Sequence, residues 1–279
     1  MISIASQAWA EDFVDNKIPD KVFLQNIPKR SRNAITGSKF ALNTTGMTGK
    51  ERQAKALEEL VNGNVPEFLR NLKPVCLSYR AADGENITAI IWVTPDYLAI
   101  GSDEDFLRIP LSKHSAVTVA NAFDCILPTR KMVDAIYKQS TCHLEPDTLP
   151  PGPLMRSSEY YLKHREMIRA KRKKAGCALG ELTSGHKKDL VLTNHLNLKP
   201  GRVAIYGWHR KDEKPIQPLS TAHGERYADY SHGVRLIYRT VWINGELRSI
   251  LDVLQDPWLA PALTYEGVIE KLLKMLRLS

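Results

Sequence analysis

Apolar positions recur along this chain with two periods, and the places where one period yields to the other mark its elements. Residues 75–80, 87–93, 97–100 and 106–111 are short runs rich in β-branched and aromatic side chains. Asp83-Gly84 and Gly101-Ser102-Asp103 punctuate them, so an antiparallel meander is expected between Val75 and Leu111. Helical spacing flanks it. Residues 51–60 are rich in Ala, Glu, Leu and Lys, and residues 65–72 open on a helix-compatible proline with Phe68 four positions before Leu72. Ser112 can cap a helix that turns Ala116, Val117, Ala120 and Phe123 to one face, and Pro128 can start another with Met132, Val133 and Ile136 inward.

Strand-like runs return at residues 190–193, 202–208 and 234–243, where Asn244-Gly245 signals a hairpin. They should extend the first sheet or form a second one. Val268, Ile269, Leu272, Leu273 and Leu276 give a last helix its apolar stripe. The pattern predicts an α+β fold of antiparallel sheets with packed helices. Residues 1–45, with Pro19, Pro28 and the basic Lys29-Arg30-Ser31-Arg32, read as an irregular arm. Pro146, Pro150, Pro151 and Pro153 then divide an α+β part at 46–145 from another at 146–279, unless the two form one continuous domain.

Composition narrows the class. At 279 residues and 43% hydrophobic content the chain can bury a full core, and no apolar run approaches the roughly 18 residues of a membrane span. Residues 1–13 lack a basic segment ahead of an apolar one and contain Glu11 and Asp12, so a cytoplasmic chain is expected; export by a removed leader or by phage lysis is the alternative. Cys76, Cys125, Cys142 and Cys177 lack paired spacing and are expected as four free thiols.

The net charge of +8 favours anionic partners such as nucleic acid, phosphorylated lipid or a wall polymer. Much of it lies between Lys163 and Lys174, where no aromatic residue interrupts the run, so a solvated helical face is expected there; Tyr160 and Tyr161 upstream keep nucleic-acid binding open. His186-Lys187-Lys188-Asp189 likewise reads as a solvated turn before a strand, with an anion-binding loop as the alternative, and Asp103-Glu104-Asp105 as an exposed acidic turn, with cation binding as the alternative.

Chemistry concentrates between Trp208 and Arg235, where three of the eight histidines fall. His232 or His223 beside Asp229 can form a base and its orienting carboxylate. Gly224 and Gly233 allow tight turns, while Arg235, with Tyr230 and His209, can bind substrate. His209, His223 and His232, with Asp229, also offer the ligands of an open zinc site. A hydrogen-bonded hairpin with polar turns is the bland alternative for any one of these histidines.

The stretch YADYSHGVRL, with IYGWH, PIQPLS and PTRKMVDAIY, resembles a group of bacterial and phage-type proteins of uncharacterised activity. His223-Gly224 and Ser231-His232-Gly233-Val234-Arg235 resemble the outline of the cell-wall L,D-transpeptidases, with Val234 where that family has its cysteine nucleophile. Phe123-Asp124-Cys125, Lys188-Asp189-Leu190-Val191 and Arg202-Val203-Ala204-Ile205-Tyr206 are similar to segments of the NlpC-type papain-like amidases, with Arg202 in place of a histidine. That similarity implies a thiol role for Cys125, although Pro128 separates it from the following helix start; a small buried core cysteine is the alternative.

The resulting expectation is a hydrolase or acyl-transfer enzyme acting on an amide or ester bond, in a peptide or cell-wall polymer. His232 is the base, Asp229 its orienter, and Ser231 or Cys125 the nucleophile, with no cofactor. The alternatives are a basic protein that binds nucleic acid or an anionic polymer, and a zinc-dependent hydrolase.

Overall fold

Val75, Leu77 and Tyr79 stand opposite Ile91, Ala89 and Ile87 in a long antiparallel hairpin, the start of the sheet in a computed structural model that describes residues 22–277. In chain order the strands are β1 (Val22–Phe23), β2 (Asn71–Arg80), β3 (Asn86–Val93), β4 (Ala99–Gly101), β5 (Phe106–Arg108), β6 (Cys125–Ile126), β7 (Cys142–His143), β8 (Thr183–Ser184), β9 (Lys188–Leu190), β10 (Ile205–His209), β11 (Pro215–Ser220), β12 (His232–Gly233), β13 (Ile237–Ile243) and β14 (Glu246–Ser249). The helices are α1 (Gly37–Asn43), α2 (Gly49–Val61), α3 (Lys113–Ala122), α4 (Arg130–Gln139), α5 (Ser158–Ala175), α6 (His195–Leu198), α7 (Ile250–Gln255), α8 (Ala260–Leu263) and α9 (Leu272–Met275). The fold is α+β.

The larger sheet runs β1-β2-β3-β13-β14 with β6 also against β13, and the smaller runs β11-β10-β9-β12. The segment after Asp189 therefore does both things expected of it: β9 to β12 form a second sheet, and β13 and β14 extend the first. Because β13 lies between β3 and β14, the larger sheet is built from chain on both sides of the proline-rich segment. That segment is tied to the body as well, with the Tyr230 hydroxyl accepting from Leu149 N at 2.7 Å.

Local signals shape the helices. The Ser112 side chain accepts from Ser115 N at the start of α3, and Thr129 accepts from Met132 N at the start of α4. Met132, Val133, Ile136 and Tyr137 bury one face of α4, which packs on both β2 and β10 and so joins the two sheets. Each such buried apolar side chain contributes about 1.5–3 kcal/mol. Helix α5 lies on α1 and β5, and three cations of its basic run fold onto acids: Arg165 on Asp105, Arg172 on Asp96 and Lys171 on Asp147, each at 2.7 Å.

Four expectations need correction. The meander divides, because the free edge of β3 is taken by β13, and β4 and β5 pair only with each other. Residues 65–72 form no helix beyond one 3-10 turn at Glu67–Arg70; Leu72 pairs with Val22 across β1 and β2, and Phe68 packs on Phe106 at 5.1 Å between ring centres. The final apolar stripe shortens to α9, since Lys271 at φ 52° breaks the helical path ahead of it, although Ile269, Leu272 and Leu276 remain buried. The N-terminal arm contains β1 and α1 within its described portion, and residues 1–21, with Glu11, Asp12 and Pro19, lie outside the described residues. Among the described residues no helix is long and apolar enough to cross a membrane.

Candidate functional site

Strand β9 is the axis of the site. Lys188 is in register with Gly207 on one side and His232 on the other, and Asp189 with Tyr206 and Gly233. Successive residues alternate faces, so Lys188 lies over the Trp208 ring at 4.6 Å while Asp189 turns the other way and accepts the Tyr97 hydroxyl at 2.8 Å. Strand β12 comes this close only because Gly233 lacks a Cβ. One built there would lie 2.5 Å from Tyr97 Cδ1 and 2.8 Å from Lys187 Cβ.

On the His232 side, the Asp229 carboxylate organises the turn. Its Oδ1 accepts from Ser231 N at 2.8 Å and Ser231 Oγ at 2.6 Å, and its Oδ2 accepts the Tyr227 hydroxyl at 2.9 Å. His232 Nε2 stands 3.9 Å from that Oδ2, outside hydrogen-bond reach. His223 stacks on Tyr227 at 4.1 Å, and Tyr227 sets its edge against His232 at 5.6 Å, so the pair roofs the imidazole. Beneath them His232 is 1% exposed, and neither ring nitrogen has a hydrogen-bond partner among the described residues. Burial pushes its imidazole down to about 4 against the pull of Asp229. Burial opposes ionisation of Asp229 in turn, but the charge of His232 and the Ser231 hydrogen bonds outweigh it and hold the carboxyl below its ordinary value. Burial also lowers the Lys188 ammonium.

The sequence places His186 and Lys187 in a solvated turn; the structure buries both. Distant partners explain the difference. Asp96 accepts from Arg108 at 2.9 and 2.5 Å and from Arg172 at 2.7 Å, and it lies 3.3 Å from His186 Nε2. Burial disfavours its charge, yet Arg108 and His186 hold the carboxyl well below the ordinary range. Desolvation drives His186 down to about 3 and Lys187 to about 7, and Lys187 Nζ donates to the Tyr230 carbonyl. On the face of β9 away from Lys188, burial lifts Asp189 to about 6 despite Arg235 and Tyr97.

Two residues read as substrate ligands serve the interior. Arg235 is fully buried, lies over the Tyr97 ring at 4.3 Å, and donates to the carbonyls of Thr94 at 2.8 Å and Thr183 at 2.7 Å. Tyr230 is buried and holds the proline-rich segment. His209 stands apart from the other two histidines of the cluster. Its Nε2 is 3.3 Å from Asp134 Oδ1, which also accepts the Tyr206 hydroxyl at 2.8 Å, and its ring stacks on Tyr137 at 4.5 Å. Asp134 is the outer group of this pair, in a cleft of about 230 Å³ that Glu213 and Tyr265 also line. Among the described residues no group of three or more His, Cys, Asp or Glu is placed to hold a metal.

The proposed nucleophiles are not delivered to His232. Ser231 is fully buried with its hydroxyl committed to Asp229. Cys125 lies in the other sheet, paired with Tyr238, where burial pushes its thiol far up. The expectation of four free thiols fails: Cys142 and Cys177 form a disulfide with Cα atoms 5.8 Å apart, leaving Cys76 and Cys125 free. Gly176, at φ 70°, ends α5 and turns the chain back so that Cys177 meets β7. Tyr227 and Asp134 are site residues that sequence spacing does not single out, and Lys188 is one that the sequence places in a solvated turn. Lys188 carried the signal of lying two residues before a strand's buried Leu190, while Asp134 reaches His209 only through the packing of α4 on β10.

No protein-family model matches the chain, and no curated protein or solved structure matches it.

Proposed function

We propose that the chain is a hydrolase that cleaves an amide or ester bond by direct attack of water, with His232 as general base. One arrangement carries the reading: the buried His232 imidazole, which like that of His186 has no hydrogen-bond partner on either nitrogen among the described residues, has a carboxylate 3.9 Å from Nε2 and, unlike His186, Lys188 at the neighbouring register position.

In this mechanism the His223–Tyr227 roof moves aside when substrate enters. Moving Tyr227 removes its hydroxyl from Asp229 Oδ2, and the freed oxygen can close on His232 Nε2. Catalytic hydrogen bonds of this kind tighten on substrate binding. The other ring nitrogen takes a proton from water as the oxygen attacks the carbonyl carbon, and Lys188 stabilises the negative charge that develops on the carbonyl oxygen. His232 then returns the proton to the leaving nitrogen or oxygen as the bond breaks. No covalent intermediate forms, in keeping with the placement of Ser231 and Cys125.

The test uses a panel of p-nitrophenyl esters and peptide p-nitroanilides. His232→Ala should abolish turnover and Asp229→Asn should lower it by roughly 10²–10⁴. A fluorophosphonate and iodoacetamide should label neither Ser231 nor Cys125 in the folded protein. Full activity of His232→Ala, or inactivation through labelling of either residue, would overturn the mechanism.

A further inference from the structure

A cleft of about 640 Å³ opens beside the roof over His232, and cations from four separate stretches of chain converge on it: Lys50, Arg156, Arg226 and Arg277, with His114 and Glu225 also on its wall. Lys50 comes from the first turn of α2, His114 from the first turn of α3, and Arg156 from the 3-10 turn Pro153–Arg156. The Arg156 guanidinium lies over the Tyr227 ring at 5.6 Å, so the cleft wall continues into that roof. Lys50, Arg156 and Arg226 have no ion-pair partner among the described residues, unlike the cations of α5 that fold onto acids. Behind the wall, burial lowers the Lys113 ammonium, Glu225 opposes the change, and Arg277 adds to it.

Like charges gathered around one concavity repel one another, and an anion bound among them removes that repulsion. Two features define the anion. The guanidiniums are planar forks that match phosphate oxygens, and residues of the first turns of α2 and α3 line the same cavity. The volume falls within the range of small-molecule sites, and the charges close on one cavity rather than forming a track for a polymer. We propose that this cleft binds a small phosphorylated molecule, with the phosphate held by Arg156 and Arg226. Glu225 is then placed to accept from a hydroxyl or amine on the rest of the ligand.

The proposal goes beyond the hydrolase reading and stands whether or not His232 is catalytic. Calorimetric titration of the full chain with inorganic pyrophosphate near physiological salt tests it. The expected result is saturable binding at one site per chain, weakened roughly ten- to hundredfold by Arg156→Ala and by Arg226→Ala, with Arg156→Lys between wild type and alanine. Both arginines are exposed at the surface, so unchanged thermal melts should confirm that the variants fold. His232→Ala should bind pyrophosphate as wild type does, which separates this site from catalysis. Absence of saturable binding, or affinity indifferent to both arginines, would overturn the proposal. So would tighter binding of a single-stranded oligonucleotide that depends on the same arginines and falls steeply with salt, since that would make the cleft part of a polymer track.

Discussion

Acidification should destabilise this protein before most of its carboxylates titrate, because three imidazoles are held uncharged in its interior. Burial drives His186 down to about 3, His232 to about 4 and His164 well below its ordinary value. In the unfolded chain each takes up a proton near pH 6.5. Each therefore contributes stability that is fully present above about pH 6.5 and is lost as the pH falls toward its folded value. Asp189 has the opposite sign: burial raises it to about 6, so its contribution is present below the unfolded value of about 3.9 and is lost as the pH rises through about 6. Lys187, lowered to about 7, is protonated in both states below pH 6 and adds nothing there.

Around pH 5, below the unfolded imidazole value and above the carboxylate range, unfolding thus takes up three protons on imidazoles and releases one from Asp189. A net uptake of two protons corresponds to roughly 2–3 kcal/mol of stability lost per pH unit, a large share of the usual 5–15 kcal/mol. Urea unfolding curves collected in steps from pH 6.5 to pH 4.5 measure the slope, and proton uptake on unfolding follows from it. His186→Gln removes one of the three imidazoles and should reduce the slope to about half. A stability that stays flat across this interval, or a slope unchanged by His186→Gln, would refute the argument that these imidazoles are buried in uncharged form.

Two further outcomes follow from the packing. Titration of the denatured, unreduced protein should count two free thiols, and Cys177→Ser should cost about 3–4 kcal/mol by opening a loop whose ends are separated by 35 residues; four thiols would contradict the Cys142–Cys177 pairing. Gly233→Ala should destabilise by about 1–3 kcal/mol in urea, because the added Cβ would lie 2.5 Å from Tyr97 Cδ1, and an unchanged midpoint would show that β12 does not approach Tyr97 so closely.

What was legible in the sequence was local. Ser112 announces the start of α3 because a cap acts within three residues, and Asn244-Gly245 announces the β13–β14 hairpin because its turn needs positive φ at both positions, observed at 45° and 101°. The division of the meander was not legible, since it depends on β13 arriving from far along the chain. His186-Lys187-Lys188-Asp189 was misread for the same reason: four polar residues look solvated until Asp96, Arg108 and the β10 and β12 neighbours enclose them. In the YADYSHG stretch, the nearness of Asp229 to His232 was readable from spacing. That Asp229 would instead bond Ser231 and Tyr227, and that a roof would cover His232, depended on side-chain directions that spacing does not specify. Cys142 and Cys177 meet only because α5 ends where Gly176 turns the chain back to β7.

The catalytic reading is tested most directly by the pH dependence of kcat/KM, from pH 3.5 to 10.5, on the best substrate of the ester and anilide panel. With neutral His232 as the base, the rate should rise through about pH 4, hold level across neutrality, and fall on the alkaline side before the ordinary lysine value as Lys188 loses its proton. His232→Ala should remove the whole profile. A rise centred near pH 6.5, a profile that persists in His232→Ala, or no turnover of any panel member above that variant would contradict the assignment of His232 as the base.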